Sequence, residues 1–181
     1  MALTPEQKSQ LEKQLAAHNH ERYETDIVLT DGHILKDFVV HPGVLRPEIV
    51  ISLYLARWLF FNNGLYSGKH VLDMGSGSGI QGVVMGVYGA KKVAFSDISQ
   101  ESVDNTEVNC HRYLKNTTIV QGDLFEHVSG SYDVVVFNHP FFPDDGTSTH
   151  PVAPSMMSIN PISCPPERPL LRAFLGQARD H

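Results

Sequence analysis

The chain has little of several things that would point to particular chemistries. Two cysteines, Cys110 and Cys164, are all that occur in 181 residues. They make no disulfide framework and have no metal-ligand spacing, so both read as plain thiols. No apolar run approaches the length that spans a bilayer. The first seventeen residues are polar and helix-like rather than a secretory leader, so the expected location is cytoplasmic. There is no basic excess either. The formal charge is −6, with seven basic and eight acidic groups in residues 1–70 against seven and twelve in residues 71–181. A protein that holds long nucleic acid usually shows a basic face. None is evident, which leaves a protein side chain or a small molecule slightly favoured over RNA as a partner. The ten histidines are scattered, and His18-Asn19-His20 has no further ligand at metal spacing, so no metal is expected.

What is present is ordinary globular material, 41% hydrophobic and 19% charged, long enough to bury one core. It is organised around Val71-Leu72-Asp73-Met74-Gly75-Ser76-Gly77-Ser78-Gly79-Ile80-Gln81-Gly82. Val71 to Met74 reads as a buried strand. Glycines then alternate with serines, and Ile80, Val83, Val84 and Val87 resume at helical spacing. Such a strand, turn and helix start form a nucleotide cradle, because glycine admits sharp turns and the helix N-terminus faces the ligand with free N–H groups. Gly77, Gly79 and Gly82 also fit G-x-G-x-x-G, so a dinucleotide reading stays open. Asp73, before the first glycine, would repel a pyrophosphate and suits a ligand carrying an amino group.

Upstream, Thr4-Pro5-Glu6-Gln7 caps an expected amphipathic helix to about Ala17. Asp26 to Thr30, Asp31-Gly32 and His33 to Val40 read as a β-hairpin. Pro47 is placed to open a helix with Ile49, Leu53, Ala56, Leu59 and Phe60 on its apolar face. Downstream, Lys91 to Asp97 is expected as a second strand. Asp97 at its tip can accept hydrogen bonds from ribose hydroxyls. Val103, Val108 and Tyr113 sit on the helix that follows. Thr117 to Gln121 is a short third strand before Gly122-Asp123-Leu124. Tyr132 to Phe137 is a β-branched and aromatic run expected to be buried on both faces, ending in Asn138-His139-Pro140-Phe141. Residues 143–169 read as a long loop beside the site. A last helix is expected with Leu170, Leu171, Phe174, Leu175 and Ala178 inward.

The D-x-G-x-G-x-G run from Asp73 to Gly79, followed in order by Asp97, Asp123 and Asn138-His139-Pro140-Phe141, resembles the class I S-adenosylmethionine (SAM) dependent methyltransferases. The final tetrapeptide is similar to the Asn-Pro-Pro-Tyr motif of the branch that methylates planar nitrogens, which includes rRNA and protein-glutamine enzymes. The resemblance covers about residues 42–181 and implies an α/β, doubly wound, mostly parallel Rossmann-like sheet preceded by an N-terminal helix and hairpin. It divides the chain into an extension, 1–46, and a SAM-binding domain, 47–181. Family sheets have seven strands; four are legible, and the C-terminal ones are expected to be missing from this sequence. The implied cofactor set is Asp73, Gly75, Ser76, Gly77, Gly79, Asp97, Ile98, Asp123, Leu124 and Asn138, with Arg46 on the methionine carboxylate. Asp123 would take the adenine amino group and the Leu124 N–H a ring nitrogen. The Asn138 amide oxygen and the His139 carbonyl would accept the N–H groups of the methylated nitrogen, while Pro140 restricts His139 and Phe141 stacks. His139 departs from the family's usual proline. That departure motivates a second reading, a non-catalytic SAM-fold scaffold subunit. An NAD-dependent oxidoreductase is a distant third.

Overall fold

The computed structural model describes residues 20–139 and 170–181, together with Ser9. The expected N-terminal helix, Pro140, Phe141 and the loop 143–169 lie outside the described residues.

Two strands open the described chain, β1 (Tyr23–Thr30) and β2 (His33–Val40), paired antiparallel across Asp31-Gly32. Helix α1 spans Val50–Phe61. The alternation that follows is β3 (His70–Met74), α2 (Ile80–Val87), β4 (Lys92–Asp97), α3 (Gln100–Tyr113), β5 (Thr118–Gln121), β6 (Val134–Phe137) and α4 (Leu170–Gln177). Four strands make a parallel sheet in the order β5-β4-β3-β6. The chain therefore winds outward from β3 through β4 to β5, then returns to the other side of β3 with β6. The order reverses between β3 and β6, and a crevice at such a switch point is where open α/β sheets hold ligands.

Both faces of the sheet are covered, as the strand pattern requires. Val71, Val93 and Phe95 face a core shared with α2, α1 and the hairpin residues Ile27, Leu29, Leu35 and Phe38. Leu72, Met74 and Ala94 face the opposite way, onto Leu124, Phe125 and Val128, with Leu170, Ala173, Phe174 and Ala178 packed against them. Alternate residues of one strand serve opposite layers because the side-chain period of a strand is two. Gly82 permits this packing on the α2 side. A Cβ there would stand 2.1 Å from Phe95 Cε1.

Several expectations are corrected. Helix α1 starts at Val50 rather than Pro47, because Arg46 to Ile49 closes as a turn, with the Ile49 N–H on the Arg46 carbonyl at 3.3 Å. Strand β6 is half-buried along its length instead of enclosed, since among the described residues it pairs with β3 alone. On α4, Leu171 and Leu175 are exposed, and Ala173 takes the inward place beside Phe174. Val103, Val108 and Tyr113 lie on α3 as expected and are half-buried, but the fully buried face of that helix is polar. That face is Ser102, Asn105, Thr106, Asn109 and Cys110.

Candidate functional site

The loop after β3 is built almost wholly from backbone. Gly75, Gly77 and Gly79 have φ of 63°, 56° and 81°, a region that strains residues with a Cβ. The N–H groups of Gly75 and Ser76 both reach the Ser96 carbonyl, at 2.8 and 3.1 Å. Gly79 donates to the Ser76 carbonyl at 2.7 Å and then caps α2. From behind, Thr106 Oγ1 donates to the Gly77 carbonyl at 3.1 Å and lies 2.9 Å from Ser76 Oγ. Asn109 Nδ2 donates to the Ser78 carbonyl at 2.9 Å. Because carbonyl and N–H of a trans peptide point opposite ways, holding the Gly77 carbonyl against α3 turns the Ser78 N–H away from α3. A Cβ on Gly77 would meet nothing within 4 Å, so the outer side of the loop is open space.

Two carboxyls stand under this loop. Asp73 is 1% exposed; its Oδ2 accepts the Gly82 N–H at 2.8 Å, while the buried Oδ1 has no partner. Burial pushes its carboxyl up to about 8 despite the Gly82 N–H, and the nearby Asp97 charge adds to the rise. Asp97, 3% exposed, ends β4; its Oδ2 accepts from Gly77 at 2.9 Å and its Oδ1 from Ser99 at 3.0 Å. Burial raises its pKa too, against those N–H groups. Each carboxylate oxygen retains acceptor capacity after one such bond.

Beyond the tip of β4, Ile98 is 43% exposed, an apolar side chain left on the surface next to a buried acid. Asp123 is exposed, and its N–H is taken by Glu126 Oε2 at 3.2 Å. Leu124 holds φ at 55° although it is bulky and buried. A non-glycine residue in that region is uncommon, and such strain gathers at functional sites. The Leu124 carbonyl is fixed by Ser96 Oγ at 3.0 Å. Arg46 lies elsewhere in kind: its Nη2 pairs with Glu48 Oε1 at 2.7 Å, and Tyr23 Oη donates to the same carboxylate at 2.8 Å. The guanidinium thus already has a carboxylate partner from its own loop.

Asn138 stands one residue beyond the Met74–Phe137 register pair, as Gly75 does on β3, so the cradle and the Asn138 backbone leave adjacent strands side by side. The Phe137 ring backs Gly75, where a Cβ would come within 3.1 Å of Cε2. The half-buried His139 ring lies against that ring in a tilted arrangement, 5.7 Å between centroids and 59° between planes. Asn138 Nδ2 donates to Ser52 Oγ of α1 at 3.3 Å. The Ser52 carbonyl in turn accepts from Gln81 Nε2 at 3.3 Å.

Ser52, Gln81, Asn105, Thr106 and Asn109 are the residues that sequence reasoning missed. Asn105 and Asn109 both donate to the Val39 carbonyl at 2.9 Å, and Asn109 Oδ1 accepts the Val39 N–H at 2.9 Å. They join strand β2 to the cradle through α3. The signal was there as an Asn-x-x-x-Asn pair, two polar residues on one helix face. Among the described residues no group of three His, Cys, Asp or Glu is placed to hold a metal ion. None of the helices there is long and apolar enough to cross a membrane.

Comparison with known proteins matches residues 55–158 to the family model of the methyltransferase small domain. A protein of Methanocaldococcus jannaschii, provisionally named a protein N5-glutamine methyltransferase, is 33% identical over 117 residues, 65% of this chain and 55% of that protein. Ribosomal RNA small subunit methyltransferase C of Haemophilus ducreyi is 28% identical over 99 residues, 54% of this chain and 30% of that one. Among solved structures, the T. thermophilus 16S rRNA N2 methyltransferase RsmC with AdoMet and guanosine superposes with a TM-score of 0.57 at 23% identity. That superposition covers 77% of this chain and 38% of the other, and shows the shared fold. The chain thus spans about half, or less, of the length of these relatives.

Proposed function

The chain belongs to the methyltransferase small-domain family, whose cofactor is SAM, and on that premise we propose that it methylates a planar nitrogen, with a protein glutamine amide as the favoured acceptor. The observation that carries the reading is the placement of Asn138 beside Gly75 at the reversal of strand order. Family membership also supplies the choice between SAM and a dinucleotide that the glycine pattern left open.

The residues fit SAM. An orphaned, fully buried Asp73 Oδ1 under a glycine loop suits an amino group nearby. The open side of Gly77 leaves room for a ligand to approach the backbone. Asp97 would hold the ribose hydroxyls, its carboxylate already aimed by Gly77 and Ser99. Ile98 would pack on the adenine, Asp123 would accept its amino group, and the Leu124 N–H would meet a ring nitrogen. Arg46 serves the methionine carboxylate only by sharing itself with Glu48, so the Gly75–Gly79 backbone carries more of that end. SAM supplies an activated methyl when bound.

The chain's own work is to hold the nitrogen. An amide or exocyclic amine is a poor nucleophile because its lone pair is delocalised. The Asn138 amide oxygen and the His139 carbonyl accept its N–H groups, orienting it and favouring positive charge as it forms. Pro140 and Phe141, outside the described residues, keep only the roles the resemblance implies, in which Pro140 would restrict His139 and Phe141 would stack on the acceptor plane. A net charge of −6 favours a protein over RNA. The glutamine reading also draws on the M. jannaschii relative.

Incubation with methyl-labelled SAM tests this on two acceptors, a glutamine-containing peptide and a guanosine-containing RNA. Methylamide on the glutamine is expected. Label in the RNA alone would move the acceptor to a base. Label in neither, from a chain that binds SAM, would favour the scaffold reading.

A further inference from the structure

Ser52 is out of place by the rules of its helix. Ser52, Ala56 and Leu59 follow one another at i, i+4 and i+7 and are all buried, at 4%, 0% and 2% exposure. The stripe is therefore the core face of α1, and an aliphatic residue would be ordinary at its first position. A hydroxyl buried there costs free energy unless it is bonded. Its bond goes to Asn138 Nδ2, 86 residues away in sequence, at 3.3 Å.

An asparagine amide has two unlike ends, a donor NH2 and an acceptor oxygen. Only the acceptor end can serve the N–H of a substrate nitrogen; the reversed amide would set donor against donor. Anchoring the NH2 on Ser52 Oγ leaves the oxygen as the end available to the acceptor. The Ser52 main chain is itself tied, through Gln81 Nε2 on its carbonyl, to the first turn of α2 beyond the glycine loop. The anchor and the cradle thus share one support. We propose that Ser52 is a positioning residue for methyl transfer, acting through Asn138 by fixing which end of its amide meets the acceptor. The proposal rests on the methyltransferase reading above and adds a residue to it.

Ser52→Ala and Ser52→Thr test this in the full chain. Alanine is smaller and favours helix over serine, so folding is expected to survive in the first variant; threonine keeps the hydroxyl. The first readout needs no turnover. With S-adenosylhomocysteine bound, the Asn138 side-chain NH2 signals are assigned by their loss in Asn138→Asp. Ser52→Ala should shift those signals and speed their exchange with water, and Ser52→Thr should restore them. Unchanged Asn138 signals in Ser52→Ala would overturn the proposal. The second readout is labelled transfer to the glutamine peptide or the RNA. Ser52→Ala should lower kcat by about tenfold, the scale of one lost hydrogen bond, while S-adenosylhomocysteine binds as before. A kcat equal to that of the unaltered chain would overturn it as well. A chain that transfers to neither acceptor sinks the methyl-transfer reading and the proposed role with it. The amide spectra would then show whether the Ser52 anchor exists as a feature of a scaffold.

Discussion

Gly77 donates its N–H to Asp97 Oδ2 at 2.9 Å, which makes the glycine loop and the tip of β4 a single unit. The second oxygen of the same carboxylate is held by Ser99 at 3.0 Å. The acid therefore shapes the loop from below and, in our account, grips the ribose from the side.

Asp97→Ala removes both roles. Hydrogen bonds to a charged group are worth about 1.5–3 kcal/mol, so the dissociation constant for SAM should rise by roughly 10- to 100-fold. Isothermal titration checks this. An unchanged constant would remove Asp97 from the cofactor site.

Two glycines of the same motif should separate cleanly. In Gly82→Ala the new Cβ would lie 2.1 Å from Phe95 Cε1. Overpacking of this kind costs about 1–3 kcal/mol, so the variant should melt earlier. At Gly77 a Cβ meets nothing within 4 Å, but φ is 56°, a strain of about 1–2 kcal/mol. Gly77→Ala should therefore lose more SAM affinity than Gly82→Ala for a similar or smaller loss of stability. The opposite order in paired melting and binding curves would reverse the roles given to the two positions.

The contrast between these glycines shows what the sequence could and could not disclose. Strand, glycine turn and helix start were legible at Val71 to Gly82 because periodicity changes there from two to 3.6 and glycine marks the turn. The hairpin was legible at Asp31-Gly32 for the same kind of reason. Helix α3 itself was legible, but its buried face was not, because that face is polar. Asn105 and Asn109 spend their amides on the Val39 and Ser78 backbone, contacts that apolar periodicity does not disclose. Ser52 was invisible because its partner, Asn138, is distant in sequence. The place of Arg46 turned on Glu48, two residues on, whose carboxylate it pairs with. Local chemistry was readable; long-range pairing between polar side chains was not.

Asp73 gives a pH signature. In the folded protein burial holds its carboxyl protonated up to about 8, against 3.8 for the ordinary group. Between those values the folded state keeps a proton that the unfolded chain has released. Stability is thus greatest at the acid end of that window, falls as pH rises through it, and levels off above about 8. Asp97, shifted the same way, adds to the slope. Asp73→Asn retains an acceptor for the Gly82 N–H and cannot titrate. Its melting temperature should depend less on pH between 5 and 8, roughly the window that buried carboxyls of this kind span. An equal slope in the two proteins would mean that Asp73 is ionised in the fold.

Asn138→Ala should divide binding from chemistry. The side chain is hydrogen-bonded to Ser52 of α1, so S-adenosylhomocysteine should bind nearly as before. Loss of a preorganised polar contact at a reacting atom lowers turnover by about 100- to 1,000-fold. Equal loss of binding and turnover would make Asn138 a structural residue.

The central claim is that this chain holds SAM in the crevice between β3 and β6. Calorimetric titration of the 181-residue chain with SAM, S-adenosylhomocysteine and NAD, run in parallel, tests it most directly. Saturable binding of the first two and none of NAD is the predicted result. Binding of NAD, or of none of the three by a folded chain, would contradict it.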